Sequence, residues 1–267
     1  MLTILIDIDP VAIALGPVQI RWYGLMYMVG IWLGLAVVAR LAPRLGVTAD
    51  DVWEFAGIGV IAGLLGGRLY YVVQNHPSHY LEHPEDILAV WQGGMAFFGA
   101  IIAVAAAVIV FARWRGRSVW PFLDAGALFA AIGQPIGRIG NIVNGDVIGY
   151  PTDVPWGTAY ANEGAFVPQL GVAYHPAAAY SILAGLVLLG VLFAVVRLRR
   201  PGVTFATYLI GYSLTQFVIF FWRANSITAF GLKQAQLTAI GVGLVGLAVL
   251  LLLQRARRAG APAGRAG

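Results

Sequence analysis

Gly137-Arg138-Ile139-Gly140-Asn141-Ile142-Val143-Asn144-Gly145-Asp146 closes a long apolar segment and precedes the longest polar loop of the chain. If that segment is a membrane helix, Arg138, Asn141 and Gly145 share one face, because they are spaced i, i+3 and i+7. An arginine at membrane depth is costly, so it normally faces protein or water and has a function there. The alternative is an arginine near a helix end that extends to the lipid headgroups. Two amide side chains beside Arg138 favour the functional interpretation.

The composition indicates a membrane protein. Hydrophobic residues make up 60% of the 267 positions, charged residues make up 11%, and the mean hydropathy is +0.80. Soluble domains carry roughly 25% charged residues. The chain has no cysteine, which excludes disulfides, a thiolate nucleophile and cysteine metal sites within it.

Seven apolar segments are long enough to cross about 30 Å of hydrocarbon, which takes about 20 helical residues. They cover residues 19–41, 52–74, 94–112, 121–143, 176–196, 203–222 and 234–253. The predicted fold class is therefore an all-α polytopic membrane protein with seven transmembrane helices, forming a single integral membrane domain over residues 1–267. Residues 144–175 form the loop between the fourth and fifth helices, and residues 254–267 form a basic tail.

The charges of the linkers predict an orientation. Twelve of the 17 basic residues lie in alternate linkers and in the tail: Arg40, Arg44, Arg113, Arg115, Arg117, Arg197, Arg199, Arg200, Arg255, Arg257, Arg258 and Arg265. The other linkers, 75–93 and 144–175, contain no Lys or Arg, but they do contain acidic residues and histidines. The positive-inside rule places the N-terminus outside and the C-terminus in the cytoplasm. The basic tail is then expected to contact lipid headgroups, and no nucleic-acid partner is expected.

The remaining basic residues are Arg21, Arg68, Arg138, Arg223 and Lys233. Each lies in or beside a predicted span, and this topology brings the four arginines to the outer ends of their helices. The same counting places further polar side chains at that level: Tyr23, Asn141, Asn144 and His175. Such a convergence predicts an outward-facing anion site, most simply for a lipid phosphate that arginine can bind in bidentate fashion.

Small residues and a proline predict how the helices around this site pack. Gly63 with Gly67, and Gly133 with Gly137, have the spacing that lets helix backbones approach closely. Pro135 predicts a kink just before Arg138.

Two polar segments leave alternatives open. The 144–175 loop is rich in Gly, Pro, Tyr and Trp, which is typical either of an interfacial aromatic belt or of an arm that receives a substrate. The 75–92 linker contains His76, His79 and His83, but their irregular spacing does not favour a metal site. No metal and no cofactor are expected.

Several motifs give the chain a family resemblance. They are Arg21-Trp22-Tyr23-Gly24-Leu25-Met26-Tyr27, Gly66-Gly67-Arg68, Gly93-Gly94-Met95-Ala96-Phe97, the Gly-Arg-x-Gly-Asn-x-x-Asn-Gly element at 137–145, and His175-Pro176. Over nearly its whole length the chain resembles the prolipoprotein diacylglyceryl transferases of the bacterial inner membrane. The resemblance implies seven helices, a site facing the periplasm, and transfer of the diacylglyceryl group of phosphatidylglycerol to the lipobox cysteine of prolipoprotein signal peptides.

On that basis we expect Arg138, Arg223 and Tyr23 to be catalytic, with the two arginines binding the phosphate. The expected substrate-binding residues are Arg68, Asn141, Asn144, Gly145, Asp146 and His175. Arg68 is either a third phosphate ligand or a structural residue, and Tyr23 and His175 are candidates for proton transfer. A cationic site also lowers the pKa of an incoming thiol.

Four positions depart from the family pattern. Phe98 stands where the family has a histidine, Ser181 and Phe220 stand where it has glutamates, and Asp146 replaces a further glutamate. The alternative function is therefore a non-catalytic, phospholipid-binding paralogue. A small transporter is less favoured, because it would place charges near the bilayer midplane.

Overall fold

The computed structural model describes residues 3–16, 18–75, 77–89 and 93–260, and these are mainly helical. The helices are α1 (Trp22–Leu45), α2 (Ala49–Gln74), α3 (Pro77–Glu82), α4 (Phe97–Trp114), α5 (Trp120–Asn144), α6 (Ala177–Val196), α7 (Val203–Ile219) and α8 (Gln234–Gly260), with a 3-10 helix at Pro84–Leu88. The strands are β1 (Ile4–Ile6), β2 (Val11–Leu15), β3 (Val18–Arg21), β4 (Thr158–Tyr160), β5 (Ile227–Ala229) and β6 (Leu232–Lys233).

The long helices coincide with the seven apolar segments to within a few residues at most boundaries. Four of them are long and apolar enough to cross a membrane, namely Trp22–Leu45, Ala49–Gln74, Ala177–Val196 and Gln234–Arg258. Two shorter helices, Gly99–Trp114 and Val203–Ile219, are also apolar. The protein is therefore a multi-pass membrane protein, whereas seven crossings and their orientation stay predictions.

Two predicted boundaries were wrong. The sixth apolar segment was expected to be helical to residue 222, but α7 ends at Ile219 and Arg223 lies beyond it. Three aromatic residues extend the apolar segment past the helix end, so hydropathy alone overshoots. The seventh apolar segment was expected to end at residue 253, but its helix, α8, continues to Gly260. The part of the predicted tail after residue 260 lies outside the described residues.

The chain forms two compact units, residues 1–38 together with 126–267, and residues 39–125. In the first unit, α1 and α5 approach closely through small residues. A Cβ at Gly30 would lie 2.8 Å from the carbonyl oxygen of Gly133, and one at Gly137 would lie 3.0 Å from the Tyr27 ring. The close packing predicted for Gly133 and Gly137 is thus confirmed. Pro135 lies within α5, which is helical on both sides of it.

In the second unit, α2 packs on α4. In the predicted small pair, a Cβ at Gly67 would lie 3.0 Å from Cε of Met95, and one at Gly63 would meet Val104 at 3.5 Å. The closest approach is one position away, where a Cβ at Gly66 would lie 2.6 Å from the carbonyl oxygen of Gly99. The spacing therefore identified the helix that packs closely and one residue at the contact, Gly67, but missed the closer contact at Gly66.

Short strands order the first unit's polar segments. β1 pairs in parallel with β4, and β2 pairs with β3 as a hairpin. Isolated bridges join Pro151 and Thr158 to Tyr174, and join Gly149 to Arg223. The 144–175 loop is therefore a structured arm fastened to the N-terminal segment and to the end of α7. Tyr174 is buried within it, while Trp156 is 53% exposed.

Candidate functional site

The end of α5 carries a chain of hydrogen-bonded polar side chains. Arg138 donates from Nη1 to Oδ1 of Asn141 over 3.2 Å. Asn141 in turn donates from Nδ2 to both carboxylate oxygens of Asp146, at 3.0 and 3.1 Å. Asn141 is only 2% exposed, so its amide is fixed between a cation and an anion.

Gly145 makes this arrangement possible. Its φ of +76° lies in the left-handed region, which glycine adopts without the cost of a Cβ. Its N–H donates to the carbonyl oxygen of Asn141 at 2.9 Å, which satisfies a helix-end carbonyl. The chain then turns back, so that Asp146 faces Asn141. A side chain would also crowd Val167, since a Cβ here would lie 3.0 Å from its Cγ1.

Asn144 has a different set of partners from Asn141. Its Oδ1 accepts from Nη1 of Arg21 at 3.2 Å, and its carbonyl oxygen accepts from the N–H of Phe166 at 2.9 Å. The Arg21 guanidinium also lies 4.3 Å above the Phe166 ring. These contacts fasten the arm to α5. The predicted role of Asn144 in binding a headgroup stays a prediction, and its observed contacts are structural.

Tyr23 lies at the start of α1 beside this helix end. Its ring centroid is 4.6 Å from that of Tyr27, and a Cβ at Gly140 would lie 2.7 Å from the Tyr23 Cα. Small residues of α5 thus bring the tyrosine pair against the face that carries Arg138. Tyr23 is 37% exposed, so its side chain remains accessible.

Arg223 joins the same group from the turn after α7. Its backbone bridges to Gly149, and its guanidinium lies 5.0 Å from the Phe220 ring centroid. Burial and the Arg138 guanidinium lower the pKa of Arg223 from its ordinary value, while the Asp146 carboxylate acts in the opposite direction. Arg138, Asp146 and Arg223 therefore form one electrostatic cluster.

Two donors of this cluster are unused. Within the described residues, Nε of Arg138 and Nε of Arg223 are buried and have no hydrogen-bond partner. Leaving a buried donor unpaired costs about 1–3 kcal/mol, more for a charged group. A cleft of about 450 Å³ lies beside Asp146 and Arg223, with walls from the arm and from Asn225. The cleft is suited to an anion that binds Arg223 in its wall, with Arg138 contributing to the positive charge of the same cluster.

His175 is oriented by an aromatic network. Its Nδ1 lies 3.1 Å from the hydroxyl of Tyr180, which also accepts from the indole N–H of Trp156 at 2.9 Å. The N–H of Gly149 donates to the His175 carbonyl at 2.8 Å. Nε2 of His175 can accept a proton only in the tautomer in which Nδ1 donates to Tyr180.

Arg68 belongs to the second unit and has partners there. It is 6% exposed and donates to the carbonyl oxygens of Asp86, Ile87, Gly93 and Gly94 at 2.5–2.9 Å. Its guanidinium also lies within 6 Å of the Tyr71 and Tyr80 rings. Its fork is largely occupied by main-chain oxygens, which favours the structural alternative over phosphate binding.

The structure accounts for two of the positions that depart from the family pattern. The Ser181 hydroxyl is buried and donates to the carbonyl oxygen of Ala177 at 2.9 Å, so it needs no other partner. Phe220 packs against the Arg223 guanidinium. The side chain of Phe98 lies outside the described part of the chain.

The histidine linker has local ion pairs. His79 lies 2.9 Å from Asp86, and His83 lies 3.5 Å from Glu85. His76 lies outside the described residues. Among those that are described, no group of three or more His, Asp or Glu side chains could hold a metal ion. The expectation that the protein uses no metal stays a prediction.

Three residues of the site were given no individual role by the sequence, although the charge count placed Arg21 at the level of the site. Arg21 fastens Asn144, as described above. Tyr160 donates from its hydroxyl to the Ile142 carbonyl at 2.8 Å, and burial raises the pKa of Tyr160 to about 12. Lys233 donates to the carbonyl oxygens of Phe220 and Arg223. Arg21 and Lys233 stand out in the sequence as basic residues outside the charged linkers, whereas no sequence signal singled out Tyr160.

Comparison with known proteins identifies the family. The family model for prolipoprotein diacylglyceryl transferase matches residues 10–252. The chain is 38% identical to the phosphatidylglycerol–prolipoprotein diacylglyceryl transferase of Geobacter sulfurreducens, covering 93% of this chain and 96% of that protein. It is 38% identical to the protein of that name from Cupriavidus pinatubonensis, covering 92% of both, and 37% identical to the one from Azoarcus sp., covering 94% and 97%. The chain belongs to the prolipoprotein diacylglyceryl transferase family.

Proposed function

We propose that this protein transfers the diacylglyceryl group of phosphatidylglycerol to the lipobox cysteine of prolipoproteins, the first step of lipoprotein maturation. The observation that carries the proposal is the pair of buried, unpaired Nε atoms in one electrostatic cluster, on Arg138 and Arg223. The names of the related proteins give the substrates. A pair of guanidinium groups is well suited to binding a phosphodiester headgroup, because each can bind phosphate oxygens in bidentate fashion.

In the reaction, the cysteine sulfur attacks the glycerol carbon that is esterified to the phosphate. The C–O bond breaks, the phosphate oxygen keeps the electron pair, and glycerol phosphate leaves while a thioether forms. The proton of the thiol is lost before or during attack. Negative charge thus develops on the departing phosphate, where Arg138 and Arg223 stabilise it. Preorganised donors of this kind act strongly because they need no reorganisation during the reaction.

Asn141 and Asp146 give the cluster its geometry. Asn141 is held between Arg138 and the Asp146 carboxylate, so it keeps Arg138 from closing directly onto that carboxylate. Asp146 is exposed at the edge of the cleft, where it can contact the hydroxyls of the headgroup. Gly145 contributes through its backbone conformation. Tyr23, accessible beside Arg138, orients the phosphate or takes part in proton transfer.

Two groups can promote loss of the thiol proton. The positive field of the arginine pair lowers the pKa of a nearby thiol. His175 is the candidate base, acting through Nε2 in the tautomer that Tyr180 permits. General-base assistance is worth about 10²–10⁴-fold, so its partial absence slows such an enzyme without abolishing its chemistry.

The proposed location is the bacterial inner membrane, with the N-terminus outside, the C-terminus in the cytoplasm, and the site on the periplasmic side. The 12 basic residues in alternate linkers and in the C-terminal tail support this orientation. The exposed arginines at the end of α8, including Arg257 and Arg258, agree with a cytoplasmic end. Membrane lipids surround the helices, and the signal peptide of the prolipoprotein reaches the site from the bilayer.

A transfer assay tests the proposal. The purified protein is reconstituted with phosphatidylglycerol and a lipobox peptide, and the thioether product is measured by mass spectrometry. Vesicles in which phosphatidylethanolamine replaces phosphatidylglycerol serve as the lipid control. We expect product only with phosphatidylglycerol. A protein that binds this lipid without forming product would instead support the non-catalytic paralogue, which the similarity to named transferases over more than 90% of the chain does not favour.

A further inference from the structure

We propose that Lys233 is a positioning residue, which fixes the turn that carries Arg223 and so sets the geometry of the phosphate site. This inference rests on the proposed role of Arg223. Lys233 does not enter the reaction itself; it acts through the backbone on either side of Arg223.

The ammonium of Lys233 is buried and bound to main-chain oxygens. Lys233 is 5% exposed. Its Nζ donates to the Phe220 carbonyl at 2.6 Å and to the Arg223 carbonyl. Among the described residues, no carboxylate oxygen lies within 4.0 Å of its ammonium. A buried cation is retained only when hydrogen bonds replace its hydration, and here both carbonyls belong to the Arg223 turn.

These carbonyls need a donor because the helix has ended. The last carbonyls of a helix have no partner within it, and α7 stops at Ile219. A cation at this end is also favoured by the helix dipole. Lys233 therefore closes the C-terminal end of α7 from β6, a neighbouring element in space.

Gln236 completes the attachment one turn further along. It is 2% exposed and donates from Nε2 to the Phe217 carbonyl at 3.2 Å. Its Oε1 accepts from the backbone N–H of Lys233 at 3.0 Å. The side chains of Lys233 and Gln236 thus join β6 and the start of α8 to the end of α7, and Gln236 also restrains the backbone of Lys233.

The opposite side of the turn is held by the arm. Tyr150 donates its N–H to the Trp222 carbonyl at 2.9 Å. The Tyr150 ring lies 4.8 Å from Nζ of Lys233, a distance typical of a cation–π contact. The carbonyls of residues 220, 222 and 223 therefore all have donors. The backbone of Arg223 is fixed from both sides, while its Nε is left without a partner.

This arrangement explains how an arginine outside a helix can serve a site that requires accurate geometry. A displacement of about 1 Å in a catalytic group can lower a rate by roughly 100-fold. Without Lys233, two carbonyls of the turn would lose their donor and would have to bind water. The backbone of the turn would then shift, and the Arg223 side chain would shift with it. We therefore expect Lys233 to affect the phosphate-dependent step rather than binding of the peptide.

The experiment compares Lys233→Met, Lys233→Gln and the control Thr238→Val in the transfer assay. Methionine has a similar length but no donor, whereas the glutamine amide keeps donors without charge. Thr238 lies on α8 and is exposed, and its hydroxyl bonds only within its own helix, to the Gln234 carbonyl. We expect Lys233→Met to lower kcat by about 10–100-fold, Lys233→Gln to be intermediate, and Thr238→Val to match the parent. The KM for the peptide should not change.

A double substitution shows whether Lys233 acts through Arg223. Arg223→Lys keeps the positive charge at this position, so we expect the variant to retain measurable activity. In that background, adding Lys233→Met should lower the rate by less than 3-fold. Residues that act as one unit are strongly non-additive in this way. Multiplicative effects, a parental rate for Lys233→Met, or a Lys233→Gln variant no better than Lys233→Met would each overturn the inference.

The controls separate this inference from the proposed function. If Arg223→Lys transfers lipid at the parental rate, the proposed phosphate contact of Arg223 fails, and the positioning role fails with it. If Arg223→Lys is impaired but Lys233→Met is not, only the positioning role fails. Should Lys233→Met not fold, as judged by gel filtration in detergent, Lys233→Gln alone carries the comparison, and parental activity of that variant together with additivity would overturn the inference.

Discussion

Replacing Arg138 by lysine tests the central element of the site. The substitution keeps a positive charge but removes the planar fork of five N–H donors. Arg138 now uses Nη1 for Asn141 and leaves Nε unpaired. A lysine ammonium is a single point of charge, so it cannot bind Asn141 and also present two parallel donors to a phosphate.

The structure gives separate magnitudes for activity and for stability. Loss of one preorganised donor to a developing oxyanion costs about 2.7–4 kcal/mol, or roughly 10²–10³-fold in kcat. For folding, the substitution removes the one hydrogen bond of the Arg138 side chain seen within the described residues, which is worth about 0.5–1.5 kcal/mol. We therefore expect an Arg138→Lys protein that is folded but at least 100-fold slower.

The measurement is kcat with phosphatidylglycerol and a lipobox peptide, alongside the thermal unfolding midpoint in detergent. Arg115→Lys is the matched control, because Arg115, just after α4, forms an exposed ion pair with Glu54 of α2. Exposed pairs of this kind contribute only about 0–1 kcal/mol. That variant should keep the parental rate. An Arg138→Lys enzyme within 3-fold of the parent would refute the bidentate phosphate contact and leave Arg138 as a simple source of charge.

Three further predictions concern folding and orientation. Gly30→Ala should destabilise the protein by about 1–3 kcal/mol, because its Cβ would lie 2.8 Å from the Gly133 carbonyl, whereas Gly24→Ala in the same helix meets nothing within 4 Å and should be neutral; equal unfolding midpoints would contradict the close approach of α1 and α5. Tyr160→Phe should cost about 1 kcal/mol. Since burial raises the pKa of Tyr160 to about 12 from 10, its neutral-state contribution is complete below pH 10 and is lost as pH rises to 12, so unfolding midpoints of parent and variant should converge over that interval and stay parallel below it. Finally, because the chain has no cysteine, single cysteines at Glu163 and Arg257 report sidedness without background; an impermeant maleimide should label Glu163→Cys but not Arg257→Cys in intact spheroplasts, and the reverse pattern would invalidate the proposed orientation.

Much of the helical fold could be predicted because apolar length is a strong signal in membrane proteins. The face shared by Arg138 and Asn141 was also predictable, since helical periodicity fixes it. The position of Arg223 in the turn after α7 was not predictable. The aromatic residues before it continue the apolar segment, while the helical hydrogen bonds stop at Ile219.

Contacts between distant parts of the chain were beyond the sequence. Nothing in Ile4–Ile6 indicates that it pairs with Thr158–Tyr160, because a strand of three residues has no readable period. The partners of Arg68 could not be predicted either, because they are main-chain carbonyls, which every residue has. A charge count can place an arginine near a site, but it cannot tell an arginine that binds a ligand from one that orders a loop.

The pairing of β1 with β4 also sets an order of events during biosynthesis. Ile4 pairs with Thr158, a separation of 154 positions, which a ribosome needs roughly 8–30 s to translate at about 5–20 residues per second. During that interval β1 has been synthesised, but its partner strand β4 has not. The arm, and with it the contacts to Gly149 and Tyr150 that hold Arg223, can close only afterwards. A nascent chain that is halted before residue 158 therefore contains the signature of α5 but lacks the β1 partner strand, and premature capture of β1 by another protein would delay completion of the arm.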